Sequence, residues 1–191
     1  MIRKCVSSIL ILLLLFFYYA GTRADEADNT TLDFYDRASD TQTPSELRKE
    51  LGKESRNWME YTMNAIIADD PGALTPLFSP DLQDAELFDD QLQSVFLFID
   101  GEIESYKIHP GMTYLSTHDG IMESKVGCDI KTTTASYRLA ISIRMVDKAD
   151  SSKEGIQSLY VININDIPTD VGYWASVVLS PGITVARGEE Q

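Results

Sequence analysis

Two histidines and one cysteine are the first residues to weigh, because imidazole and thiolate bind transition metals and carry protons near neutral pH. His109 and His118 stand nine residues apart across a Pro-Gly loop, with Cys128 further on. That spacing fits no zinc pattern, and both histidines read as surface residues. Asn163-Ile164-Asn165-Asp166 with Asp170 has the look of a calcium loop but lacks its central glycine and its terminal bidentate glutamate. The chain has no Gly-x-Ser-x-Gly elbow, no phosphate-cradling glycine loop and no His-Glu-x-x-His helix. Cys128 lies between Val126 and Ile130 on an apolar face, the setting of an inert core thiol rather than a nucleophile. No catalytic residue, metal ligand set or cofactor is assigned.

Isomerase-like proton transfer needs a carboxylate base inside an apolar pocket, opposite a donor that stabilises an oxyanion. The inward faces of the three clearest strands offer Ser124, Cys128, Tyr137, Ser158 and Tyr160, and no Asp, Glu or His. That argues against acid–base catalysis. Asp100, Glu102 and Glu104 follow a helix and read as solvated. Aromatic residues give a different lead. Trp58, Tyr61, Tyr106, Tyr137, Tyr160 and Trp174 are spread over helix and sheet, where amphipathic rings line a pocket mouth or simply pack. A ligand pocket, if formed, is assigned to Trp58, Tyr106, Tyr137 and Tyr160.

The elements that must position these residues follow from periodicity. Thr43-Pro44-Ser45-Glu46 is a helix start, with a capping hydroxyl, a proline at the first helical position and a glutamate able to close a capping box. Leu47, Leu51, Trp58, Thr62 and Ile66 then share one stripe, while Lys49, Lys53, Arg56 and Glu60 face away. Asp70-Pro71 stops this helix and opens a short second one carrying Leu74. Ser79-Pro80-Asp81 repeats the device, and a third helix is expected through Leu82, Ala85, Phe88, Leu92, Val95 and Ile99 until Gly101.

Beyond Gly101 the period falls to two. Met122, Ser124, Val126, Cys128 and Ile130 form one strand face; Tyr137, Leu139, Ile141, Ile143 and Met145 the next; Ile156, Ser158, Tyr160, Ile162 and Ile164 a third. Weaker runs flank them at Glu102–His109 and Tyr173–Leu179. One-sided strands call for an antiparallel sheet covered on a single side, and the helices are the available cover. The expected fold class is α+β, three N-terminal helices on a curved antiparallel sheet of four to five strands.

At the N-terminus, Arg3 and Lys4 precede an apolar run from Cys5 to Ala20, the order of an export signal. The run is shorter than the about twenty residues of a comfortable span, which favours cleavage after Ala24 over an uncleaved anchor. Residues 25–42 are polar and acidic and read as a flexible spacer, leaving residues 43–187 as one domain. The chain carries −14, and loss of Arg3, Lys4 and Arg23 with the leader takes 16 basic residues to 13 against 30 acidic, or −17. That balance repels nucleic acid and anionic lipid, so neither is expected as a partner; membrane attachment would come only through an uncleaved leader. With Cys5 removed, Cys128 has no internal disulfide partner.

Asp70-Pro71-Gly72-Ala73-Leu74, Leu77-Phe78-Ser79-Pro80, Phe98-Ile99-Asp100-Gly101-Glu102-Ile103, Ser105-Tyr106, Tyr137-Arg138-Leu139 and Tyr173-Trp174-Ala175 together carry a resemblance. Over residues 45–185 the chain resembles the nuclear-transport-factor-two-like, or cystatin-like, superfamily, and within it a family of uncharacterised exported domains of Gram-positive bacteria. The resemblance implies a cone-shaped fold, a pocket between sheet and helices and an extracytoplasmic address, and no assigned activity. Members often carry a lipobox; here the only cysteine near the leader, Cys5, precedes the apolar run.

Three functions are therefore expected in order: an exported non-catalytic module binding a small molecule or an envelope protein through the concave sheet; a structural domain that homodimerises through the outer sheet face; and a pocket enzyme of isomerase-like type.

Overall fold

Helix α1 (Pro44–Ile67) begins at the proline that the capping signal marks, and its apolar stripe is buried: Leu51, Met59, Met63 and Ile66 are almost fully covered. It ends in a left-handed residue, Asp69 at φ 51°, followed by the expected cap, where the Asp70 carboxylate accepts from the Ala73 N–H at 3.0 Å. Helix α2 (Pro71–Leu74) and a 3-10 turn (Thr75–Leu77) lead to Phe78. The computed structural model describes residues 44–110, 112–116, 120–167 and 181–186. The leader with Ala24, the acidic spacer, His118, Asp170, Trp174 and the strand expected at Tyr173–Leu179 lie outside them.

The expected third helix is two helices, α3 (Pro80–Gln83) and α4 (Phe88–Phe98). The break leaves Ala85 and Leu87 exposed while Phe88 turns inward, its ring meeting that of Phe78 edge-on at 5.1 Å. Helix α4 buries Phe88, Leu92 and Val95, and Gly101, at φ 86°, supplies the left-handed turn that ends this layer.

Among the described residues six strands follow: β1 (Ile103–Ile108), β2 (Met112–Ser116), β3 (Ile121–Thr132), β4 (Ser136–Asp147), β5 (Gly155–Asn163) and β6 (Gly182–Ala186). Their order is β1-β3-β4-β5-β6, with β2 also on β3, so β1 and β2 share one edge of that long strand. The expectation of a purely antiparallel sheet is corrected here. β6 runs parallel to β5, making the sheet mixed.

Ser55 of α1 hydrogen-bonds Ser124 of β3 at 2.6 Å, which identifies the helix-facing side of the sheet. Val126, Cys128 and Ile130 share that side with Leu139, Ile141 and Ile143 of β4, and all are buried. In β5 the expected alternation fails. Ile143 pairs with Ile156 but Ser142 pairs with Ser158, so Gln157 is an extra residue and every later side chain changes face. Leu159 and Val161 therefore join the core, while Ser158, Tyr160 and Ile162 lie on the far side opposite Ser142, Ala140 and Arg138.

Candidate functional site

On the helix-facing side, packing engages several of the groups that could have served a ligand. Tyr137 is only 4% exposed; its ring meets Phe98 at 5.5 Å and its hydroxyl accepts from the Asp100 N–H at 3.1 Å. Tyr106 pairs across β1–β3 with Ile130, which pairs with Tyr137, so the two tyrosines share a row on this side; Tyr106 is 38% exposed. Trp58 is half-buried on α1. Tyr160 is parted from the others by the Gln157 bulge and lies on the opposite side, where burial raises its phenol pKa. The four expected pocket residues are thus not brought together. Of the other inward groups, Ser124 is tied to Ser55, and burial pushes the Cys128 thiol up to about 12 despite a backbone hydrogen bond from Lys107. Asp100, Glu102 and Glu104 are exposed, as expected.

The far side of the sheet is built differently. Alternation places Glu123, Lys125, Gly127, Asp129 and Lys131 of β3 there, and register sets Asp129 opposite Arg138 and Glu123 opposite Arg144. Arg138 binds Asp129 through two nitrogens, Nε to Oδ1 at 2.6 Å and Nη2 to Oδ2 at 3.2 Å. His109, at the bend between β1 and β2, brings its Nε2 to 2.8 Å from Asp129 Oδ2. Burial raises the Asp129 carboxyl pKa, but Arg138 and then His109 outweigh it and hold the group below its ordinary value.

A second cluster lies further along the same strands. Arg144 donates from Nε and Nη2 to Glu123 Oε1, at 2.9 and 2.6 Å, and from Nη1 to Asp147 Oδ2 at 2.8 Å. Burial lowers the guanidinium pKa; Glu123 and Asp147 more than offset it and raise the pKa. Between the clusters, the Ser142 and Ser158 hydroxyls bond at 2.6 Å. Asp129, Arg138 and His109 are each a little under a third exposed, and Gly127 is partly open, whereas Ala140, Ser158 and Ile162 are buried.

The role of Asp129 was not read from the sequence, although a signal for it exists. Folding β3 against β4 around Thr133–Ala135 aligns two acid–arginine pairs on the polar face of both strands. What alternation alone hides is His109, which reaches Asp129 only because its N–H holds the edge against Gly127 O at 2.8 Å.

As to metals, no group of three or more His, Cys, Asp or Glu able to hold an ion occurs among the described residues. Asn163 Oδ1 accepts from Asn165 N–H at 3.0 Å and so caps a 3-10 turn at Ile164–Asp166. No described helix is long and apolar enough to cross a membrane. In comparison with known proteins, residues 62–164, more than half of the chain, match the family described as "Domain of unknown function (DUF5104)". No curated protein and no solved structure matches.

Proposed function

Because the chain belongs to the DUF5104 family, a domain of unknown function, we propose a role from its own geometry: an exported, non-catalytic binding module whose recognition surface is the polar side of the sheet. The observation that carries this reading is the contrast between the two sides. The helix-facing side is mostly apolar packing and internally satisfied hydroxyls, and the other presents a partly exposed field of Asp129, Arg138, His109, Glu123 and Arg144 tied together by cross-strand bonds. Export rests on the charged-then-apolar start, and the cone-like fold of the nuclear-transport-factor-two-like superfamily rests on helices that precede and cover one side of a sheet. The Gram-positive envelope is the proposed setting, with a small molecule or an envelope protein as partner.

The competing reading is a homodimer that buries Arg138, Ser142 and Arg144, which cross-strand polar pairs on an open sheet side would also suit. A native mass spectrum of the protein from its own envelope or medium tests both. A polypeptide beginning near Asp25 with a reproducible non-covalent adduct, lost on Arg138→Ala, is the expected result. Doubling of the mass without adduct would select the dimer. A bare monomer in every preparation would overturn binding, and an intact leader would select the uncleaved anchor over secretion.

A further inference from the structure

The polar side of the sheet has a bare centre. Residues two apart on a strand, and residues paired across strands, project on the same side at spacings of about 7 Å and about 5 Å. Gly127 occupies one such position, between Lys125 and Asp129 on β3 and opposite Ala140 on β4, itself between Arg138 and Ser142. On the other flank His109 bonds to the Gly127 carbonyl, and Lys107 pairs with Asp129. A Cβ built on Gly127 would meet nothing nearer than the Leu139 carbonyl oxygen at 3.8 Å. A Cβ is therefore accommodated in ordinary contact at this partly exposed residue, and packing does not require glycine there. A glycine in the middle of a strand weakens it and often marks a place where something else approaches the backbone closely.

The rim of this hollow is positive on an acidic molecule. Lys107, Lys125 and Arg138 stand against Asp129 alone, so the rim carries about +2 within a chain of −14. Lys107 and Lys125 form no ion pair among the described residues, whereas both Asp129 oxygens are already engaged. We propose that the hollow over Gly127 binds a phosphoryl group, an inference that rests on the polar side of the sheet being the recognition surface.

Donor geometry selects the anion. A planar carboxylate is suited to the fork of an arginine, but the Nε and Nη2 of Arg138 are spent on Asp129. The rest of the rim consists of point donors: two ammonium groups, and the Ser142 hydroxyl, able to donate outward while accepting from Ser158. Donors drawn from three separate strands suit the divergent oxygens of a tetrahedral anion, whose negative charge offsets the positive charge of the rim.

The experiment is an amide NMR titration of the 15N-labelled full chain with inorganic phosphate, glycerol 1-phosphate and glycerophosphoglycerol at matched ionic strength. Saturable shifts at Gly127, Lys125 and His109 are expected, with none from chloride. Gly127→Val fills the hollow and should weaken binding at least tenfold with the melting temperature preserved; Lys125→Gln should weaken it several-fold, and Tyr106→Ala, on the other side of the sheet, should not change it. Binding of phosphate and the monoester without the diester would identify a free phosphorylated metabolite as source, and the reverse a phosphodiester polymer. Shifts reproduced by chloride, absence of saturation at millimolar ligand, or a folded Gly127→Val that binds as well as wild type would overturn the proposal. If the envelope adduct survives while all three phosphates are silent, the phosphoryl site falls and the binding-module reading stands.

Discussion

Asp129 is the residue on which most of the polar side depends, since it joins β3 to Arg138 on β4 and to His109 at the sheet edge. Its carboxyl pKa is depressed in the fold, so its contribution is present above the unfolded value of about 4 and is lost as pH falls through the folded value. Asp129→Asn should cost about 1–2 kcal/mol at pH 7, and the deficit should shrink below about pH 4; melting curves of both proteins between pH 7 and pH 2.5 check this. An undiminished gap at low pH would assign the loss to packing. Cys128 makes the opposite case, a thiol that burial keeps protonated. Peptide mapping after iodoacetamide at pH 8 should find it unmodified in the native protein and alkylated after denaturation. The burial of Cys128 was legible from its apolar neighbours. The importance of Asp129 was not, because a carboxylate on a polar strand face looks the same whether solvated or clamped.

At the scale of elements, two glycines in neighbouring parts of the sheet should respond oppositely to alanine. Gly155 opens β5 at φ 120°, where an added Cβ would lie 2.7 Å from Ser79 N and 2.9 Å from the Phe78 carbonyl carbon. This is the point where Ser79 N–H donates to Ile156 O at 3.2 Å and fastens the segment before α3 to the sheet. Gly155→Ala should cost about 2–4 kcal/mol in denaturant unfolding. Gly127→Ala, with room for a Cβ at ordinary contact distance and an ordinary strand conformation, should be neutral or stabilise by up to about 1 kcal/mol. Tyr137→Phe, which removes the acceptor for the Asp100 N–H, should cost about 1 kcal/mol. Caps, helix stripes and strand alternation made α1, β3 and β4 legible. The split of α3 from α4 was not, because the same apolar spacing fits one continuous helix, whereas in the fold Phe88 turns inward to meet the Phe78 ring.

Across the whole molecule, charge is segregated along the chain. Between Arg56 and Lys107 there is no basic residue, while Asp81, Asp84, Glu86, Asp89 and Asp90 are all exposed; helix α1 before this stretch carries four cations, and strands β3 and β4 after it carry four between them. Self-repulsion at neutral pH should keep the protein dispersed, and light scattering should rise sharply as pH approaches the isoelectric value of about 4.4. A flat scattering profile through that value would mean that the exposed acids do not govern solubility. By itself the sequence determined what is local: where the first helix starts and stops, which residues alternate in and out along β3 and along β4 as far as Ile143, and that the helix-facing positions there carry no acid or histidine. Only the tertiary structure decided which strands neighbour one another, that β6 runs parallel, that one extra residue at Gln157 sends Tyr160 to the polar side, and that His109 and Arg138 converge on Asp129. The physical reason is that caps and periodicity act over a few residues, whereas register and ion-pair partners are chosen by contacts between segments far apart in the chain.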